Sequence, residues 1–262
     1  MDEGFAAALR WHLAPFRRET PETQAFPVDL YVAEKDEAVS PPIYSLFVRN
    51  DLHYRSPDLT EITAHAVWDV HQLVPQSARD FLFLHAGAVA RDGAALLLPA
   101  RMDSGKSSLV TALLRAGWGY LSDELGPLDP VTGRTYPFPK LISLDEASLA
   151  FFPGLADRLE DRDASPLPER YVRVEDAGAA VAPPTPARWI VFPTPDWSGE
   201  ARLEPLTSAQ AVEKMADTCF NLYRYGERGV VLLSRTAAAA QAFELRGGTP
   251  SERAALLTEE LV

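Results

Sequence analysis

The stretch 94–124 reads Ala94-Ala-Leu-Leu-Leu-Pro99, then Ala100-Arg101-Met102-Asp103-Ser104-Gly105-Lys106-Ser107-Ser108, then an apolar-periodic run to Gly117, then Trp118-Gly-Tyr-Leu-Ser-Asp123-Glu124. An apolar segment, a polar loop, a helical period and a second short apolar segment make a strand, loop, helix, strand unit. Leu109, Ala112, Leu113 and Ala116 follow i, i+3, i+4, i+7 spacing and give the helix, expected over 106–116, an inward face. Gly117 ends it as a C-terminal cap. The loop has the spacing of a phosphate-binding loop in a relaxed form, with Ala100 where the first glycine usually stands.

Each part of that loop has a chemical task. Backbone N–H groups of the loop and of the helix N-terminus, over Ala100, Arg101, Met102, Asp103, Ser104, Gly105 and Ser108, cradle phosphate oxygens. Lys106 reaches the β- and γ-phosphates, and Ser107 can ligate Mg²⁺. Asp123 and Glu124 then supply a metal anchor and a carboxylate facing an acceptor hydroxyl. The bland alternative is an ordinary strand-to-helix turn with an incidental lysine. Two residues strain the motif. Ala100 reaches positive φ less cheaply than glycine, so the turn there is expected to be right-handed or slightly strained. Asp103 puts a carboxylate where phosphates belong, so binding is expected to be weak or to need Mg²⁺.

The whole chain bounds the partners. Its 262 residues suit one large domain, or a small one beside a larger one. A formal net charge of −12 leaves no basic footprint, so neither nucleic acid nor an anionic membrane is an expected partner. The one cysteine, Cys219, excludes an internal disulfide, suits a reducing cytoplasm and reads as packing within a helix. The opening Met-Asp-Glu-Gly lacks the features of a signal peptide, and no apolar run is long enough to span a membrane. The oligomeric state stays open, a homo-oligomer included.

Around the central unit, strands are expected at 28–33, 43–48, 81–89, 171–174 and 188–192. A helix is expected from about Ser56-Pro57-Asp58-Leu59, with Leu59, Ile62, Val67, Val70 and Leu73 on its apolar face; His65 and His71 read as surface or packing residues. Residues 153–170 read as a loop. Ser208 can cap a helix running through Asn221, and Thr249-Pro-Ser-Glu252 is a capping box opening the last helix. These elements predict an α/β chain with a mixed sheet, divided into a small N-terminal α+β subdomain over 1–78 and a larger domain over 79–262.

Four elements together carry a resemblance: Leu84-His85-Ala-Gly87-Ala-Val, the Gly105-Lys-Ser-Ser loop, Gly119-Tyr-Leu-Ser-Asp123-Glu124, and Pro137-Phe-Pro-Lys140-Leu-Ile-Ser-Leu. With Trp189-Ile-Val-Phe-Pro193 and Phe220-Asn-Leu-Tyr-Arg224-Tyr-Gly downstream, residues 80–260 resemble the HPr serine kinase-like family. That family's kinase domain has the architecture of phosphoenolpyruvate carboxykinase. The resemblance implies ATP and Mg²⁺ as cofactors and a serine hydroxyl of a protein or precursor peptide as acceptor. It makes His85 the histidine near the transferred phosphate, Asp123 the proton acceptor and Glu124 a Mg²⁺ ligand. Beside Lys106, Lys140 is a weaker candidate for a cation that offsets charge on the transferring group, as is Arg224; both read equally as surface cations. The chain departs from the family at Ala100, Asp103 and Glu124, and it lacks the glycine-containing signature for HPr itself.

Two rival readings remain. Small-metabolite kinases of the shikimate type also place an acid after the loop helix and carry an arginine-rich lid, which segment 158–173 could supply. A non-catalytic nucleotide-sensing or peptide-binding module would account for Ala100 and Asp103. A GTPase is not expected, since the sequence has no Asn-Lys-x-Asp motif.

Overall fold

The apolar run after Gly93 forms the strand Ala94–Pro99, fourth in a path of seven strands across a mixed sheet. The computed structural model describes residues 3–17, 31–48, 50–102, 104–160 and 170–262. On one side Ala94–Pro99 pairs in parallel with Thr185–Pro193, which pairs in parallel with Gln241–Arg246. On the other side it pairs antiparallel with Leu82–Arg91, through a turn in which Asp92 and Gly93 both have positive φ, as a tight hairpin requires. Strands Leu125–Leu128 and Arg134–Thr135 continue the sheet beyond Leu82–Arg91, and Arg202–Leu206 closes the opposite edge. Arg134–Thr135 also pairs with the start of Thr185–Pro193, so the sheet curls until two of its strands meet.

Burial on both faces explains why Ala94–Pro99 reads as a continuous apolar run instead of an alternating one. Leu96 and Leu98 pack among Leu109, Leu113, Leu257 and Leu261 of helices Lys106–Arg115 and Pro250–Leu261. Ala95 and Leu97 pack on the other face with Ala211, Met215, Leu232 and Leu233 of helices Ser208–Asp217 and Glu227–Ala239. Each fully buried leucine contributes about 1.5–3 kcal/mol. Gly87 lets the first of these helices lie close to the sheet, because a Cβ there would stand 2.7 Å from the Val110 side chain.

Residues 31–56 add a separate antiparallel sheet of three strands, Tyr31–Asp36, Ile43–Val48 and Asp51–Ser56. Helices Glu3–His12 and Leu59–Ser77 pack on it around Phe5, Leu46, Ile62 and Ala66. This layer is docked on the larger sheet. Phe16, Val74 and Ala78 pack against Phe83, Leu125 and Phe138.

Several local expectations shift. The first strand begins at Tyr31, and residues 28–30 lie outside those described. Asp58 caps Leu59–Ser77 by accepting from the Thr60 N–H, so Pro57 precedes the cap instead of lying in the first turn. The helix after 206 is capped by Thr207, one residue before Ser208, through a capping box with Gln210. It ends at Asp217 and not at Asn221, which leaves Cys219 outside it, bridged to Leu84. Asn221 instead ties that turn to the sheet, accepting from the Phe83 N–H at 2.9 Å and donating to the Phe81 carbonyl at 3.0 Å. Of the expected loop 153–170, residues 153–160 are helical, and 161–169 lie outside those described. The Thr249 capping box stands as expected, with Glu252 as its partner.

Candidate functional site

The loop 100–105 leaves the carboxyl end of Ala94–Pro99 and turns into helix Lys106–Arg115 at Gly105, whose φ is 77°. A side chain at that position would be strained, and a Cβ would fall 2.3 Å from the Trp197 ring. Trp197 is held there by Arg253, whose guanidinium lies 4.3 Å from the ring centroid. Buried Arg253 donates to the carbonyls of Gly247, Thr194 and Asp196. Ala100 is buried and takes a negative φ, so the loop turns there without left-handed strain. Asp103 lies outside the described residues.

Lys106 is not an exposed loop side chain. It is 6% exposed, and its Nζ donates to the carbonyls of Ala100 at 3.2 Å and Arg101 at 2.8 Å. The ammonium is thus folded over the mouth of the loop while still lining a cavity of about 290 Å³. The Ser104 hydroxyl is buried with no hydrogen-bond partner. An orphaned hydroxyl, a lysine and the open N–H groups of a ten-residue helix form a donor set that suits phosphate oxygens.

The acid pair sits where the strand Gly119–Ser122 gives way to Leu125–Leu128, both paired on Leu82–Arg91. The Ser122 hydroxyl accepts from the N–H groups of Glu124 and Leu125 and so holds this break open. Ala86 donates to the Glu124 carbonyl and Ala100 donates to the His85 carbonyl, which brings His85 between the acids and the loop.

Contacts divide the two acids. Asp123 is buried: one carboxylate oxygen accepts from Ser107 Oγ at 3.2 Å, the other from the Tyr120 hydroxyl at 3.2 Å. Burial raises the Asp123 pKa despite the Lys140 charge 3.7 Å away. Glu124 pairs with Lys140 at 2.8 Å. Burial pushes its pKa up, but the Lys140 charge and hydrogen bond outweigh that and hold it below the usual range. Lys140, a minor candidate from sequence, is therefore central: burial lowers its pKa, and the two carboxylates more than reverse the effect. The single proton of the Tyr120 hydroxyl is shared between Asp123 and the Lys140 carbonyl 2.9 Å away, which ties that loop to the acid strand.

Among the described residues, no cluster of three or more His, Cys, Asp or Glu could hold a metal alone. Ser107, Asp123 and Glu124 are hard oxygen donors of the kind that hold Mg²⁺ jointly with phosphate oxygens and water. The Ser107–Asp123 bond places Asp123, not Glu124, beside the serine that would share the cation.

His71 was unexpected here. Helix Leu59–Ser77 turns Ile62, Ala66, Leu59, Val70 and Leu73 to its own sheet, while Ala64, Val67, Trp68 and His71 line the cavity with the acids. Val67 thus faces the cleft and not the helix's own core. Spacing alone marks 64, 67, 68 and 71 as one face, but nothing in sequence says what that face meets. Arg224 lines a different cavity with Arg79 and Arg228, apart from these residues.

Comparison with known proteins finds no match, neither to a family model nor to a curated protein. No helix among the described residues is long and apolar enough to cross a membrane.

Both cavity histidines are neutral near pH 7. Burial, then the nearby lysine (Lys140 for His71, Lys106 for His85), lowers each pKa from 6.5 to about 4. The folded state therefore binds fewer protons than the unfolded one, so this stabilisation is complete above pH 6.5 and is lost as pH falls toward 4. For His71 the loss between pH 7 and 4.5 is on the order of 2–3 kcal/mol. Urea unfolding at those two pH values should show a smaller drop for His71→Gln than for the wild type. Equal drops would mean that His71 is not held neutral.

Proposed function

We propose that this protein is an ATP- and Mg²⁺-dependent kinase of the HPr kinase-like type, acting in the cytoplasm on a serine hydroxyl of a protein or precursor peptide. Residues 79–262 form its phosphoenolpyruvate carboxykinase-like domain. The observation that carries this reading is the 3.2 Å bond from Ser107 to Asp123, which joins the loop 100–108 to the acid pair inside one cavity.

In this reading the N–H groups of the loop and helix hold the β- and γ-phosphates, and Lys106 leaves the Ala100 and Arg101 carbonyls to meet them. Ser107 and Asp123 would hold Mg²⁺, which would offset charge on the phosphates. Glu124 takes the part the resemblance gave to Asp123. Its carboxylate is partly open to the cavity and ionised, so it can receive the hydroxyl proton as the oxygen bonds to phosphorus, although the Lys140 pair that lowers its pKa makes it a weaker base than a free Glu. The acceptor oxygen bonds to the γ-phosphorus as the bond from that phosphorus to the β,γ-bridging oxygen breaks, and nucleoside diphosphate leaves. Lys106 and Lys140 offset the charge on the transferring group. Neutral His85 can donate or accept one hydrogen bond beside it without adding charge.

Incubation of the purified protein with ATP, Mg²⁺ and serine-containing proteins or peptides tests the proposal. The acceptor should gain about 80 daltons, the mass of one phosphoryl group. ATP binding without any turnover would instead leave a nucleotide-sensing module.

A further inference from the structure

The wall opposite the loop and the acids comes from the N-terminal layer. Ala64, Val67, Trp68 and His71 are spaced i, i+3, i+4, i+7 on helix Leu59–Ser77, and all four line the cavity that holds Lys106, Asp123, Glu124 and Lys140. Three of the four are apolar. Trp68 is 59% exposed, and Met102, which lines the same cavity from the loop, is 78% exposed. Large apolar side chains left open beside a charged site mark a contact surface. At the inner end of this stripe the Nε2 of His71, a residue 6% exposed, has no hydrogen-bond partner. Such an atom costs free energy unless something that enters the cavity pairs with it.

Charge narrows what can enter. Among the described residues that line the cavity, the cations are Lys106 and Lys140. Lys140 is matched by Glu124 and Asp123, and Lys106 is committed to the loop or to phosphate. Among the described residues, an acceptor bearing its own carboxylate or phosphate finds no spare counter-charge there, and a cationic one would compete with Lys140 for the acids.

We infer that helix Leu59–Ser77 is the acceptor wall, and that it selects a neutral hydroxyl flanked by apolar groups, as on a serine between leucines. Trp68 and Met102 cover the apolar flanks, and His71 Nε2 pairs with a polar atom of the acceptor backbone. This rests on the kinase reading above, and it gives residues 59–77 a direct part in substrate choice.

Three synthetic peptides of equal length test it, each with one serine flanked by leucine, aspartate or lysine, supplied with Mg²⁺ and ATP; shikimate serves as a carboxylate-bearing small acceptor. The leucine-flanked peptide should have a kcat/KM at least about tenfold above the others, the effect of roughly 1.4 kcal/mol of differential binding. Trp68→Ala should raise the KM for that peptide about tenfold, since burying an aromatic ring is worth at least that much, and move the KM for ATP less than about twofold. His71→Leu should raise the peptide KM as well, while His71→Gln, which keeps a polar atom, should recover most of it. Equal or better use of the charged acceptors overturns the inference, as does a peptide KM unmoved by Trp68→Ala. Transfer to none of the acceptors, with ATP hydrolysis still dependent on Lys106, also overturns it. If the wild type and Lys106→Ala handle ATP alike, the kinase reading falls and takes the acceptor wall with it.

Discussion

Lys106→Ala should abolish nucleotide-dependent turnover and leave the fold in place. The side chain is buried, but its partners are two carbonyls of the loop, not the apolar core. Alanine is a good helix former and fits the first turn of Lys106–Arg115. Losing two such bonds costs about 1–3 kcal/mol of local stability, less than a domain of this size must lose to unfold. The functional loss is larger. A preorganised cation aimed at developing charge in a dry site is worth roughly 10²–10³ in rate, and binding of the phosphates weakens as well. Circular dichroism should give near-wild-type spectra and melting, while calorimetry with ATP and Mg²⁺ shows strongly reduced binding. Lys106→Arg should not rescue activity, because a planar guanidinium cannot occupy the place of a compact ammonium between the Ala100 and Arg101 carbonyls. Full ATP binding and turnover by the alanine variant would remove the phosphate-loop reading.

Glu124→Gln and Asp123→Asn should fail in different ways. Gln at 124 keeps a hydrogen-bond acceptor for Lys140 but cannot take a proton, so phosphoryl transfer should drop by about 10²–10⁴ with nucleotide binding nearly unchanged. Asn at 123 can still accept from Ser107 or Tyr120, but an amide is a poorer ligand for a hard cation than a carboxylate. That variant should need roughly tenfold or more Mg²⁺ for half-maximal rate, and recover much of its activity at saturating metal. A Mg²⁺ titration at fixed ATP, run on both variants, separates the roles. The opposite pattern, with Asp123→Asn dead at every Mg²⁺ concentration and Glu124→Gln merely metal-hungry, would restore the order implied by the family resemblance.

Much of the local structure around the loop was legible because it is set within a few residues. The apolar run 94–99 and the periodic helix after the loop are set by spacing and by steric rules that act within a few residues. The same holds for the capping box at Thr249. The boundary at Asn221 failed because a strong helical period continued past the point where its side chain bonds to the distant backbone of Phe81 and Phe83. Propensity cannot weigh a partner about 140 residues away.

By itself, then, the sequence determined the α/β character, the loop, its lysine and serine, and the presence of two acids after it. Tertiary structure alone decided which acid touches Ser107, that Lys140 pairs with Glu124, and that Lys106 is buried over the loop. It also decided that helix Leu59–Ser77 has two working faces, one for its own sheet and one for the cavity. Periodicity reports that a face is apolar, because that follows from the pitch of one helix. What such a face meets, and how charges close in space share their protons, depends on groups far apart in the chain that only the folded packing brings within a few ångströms.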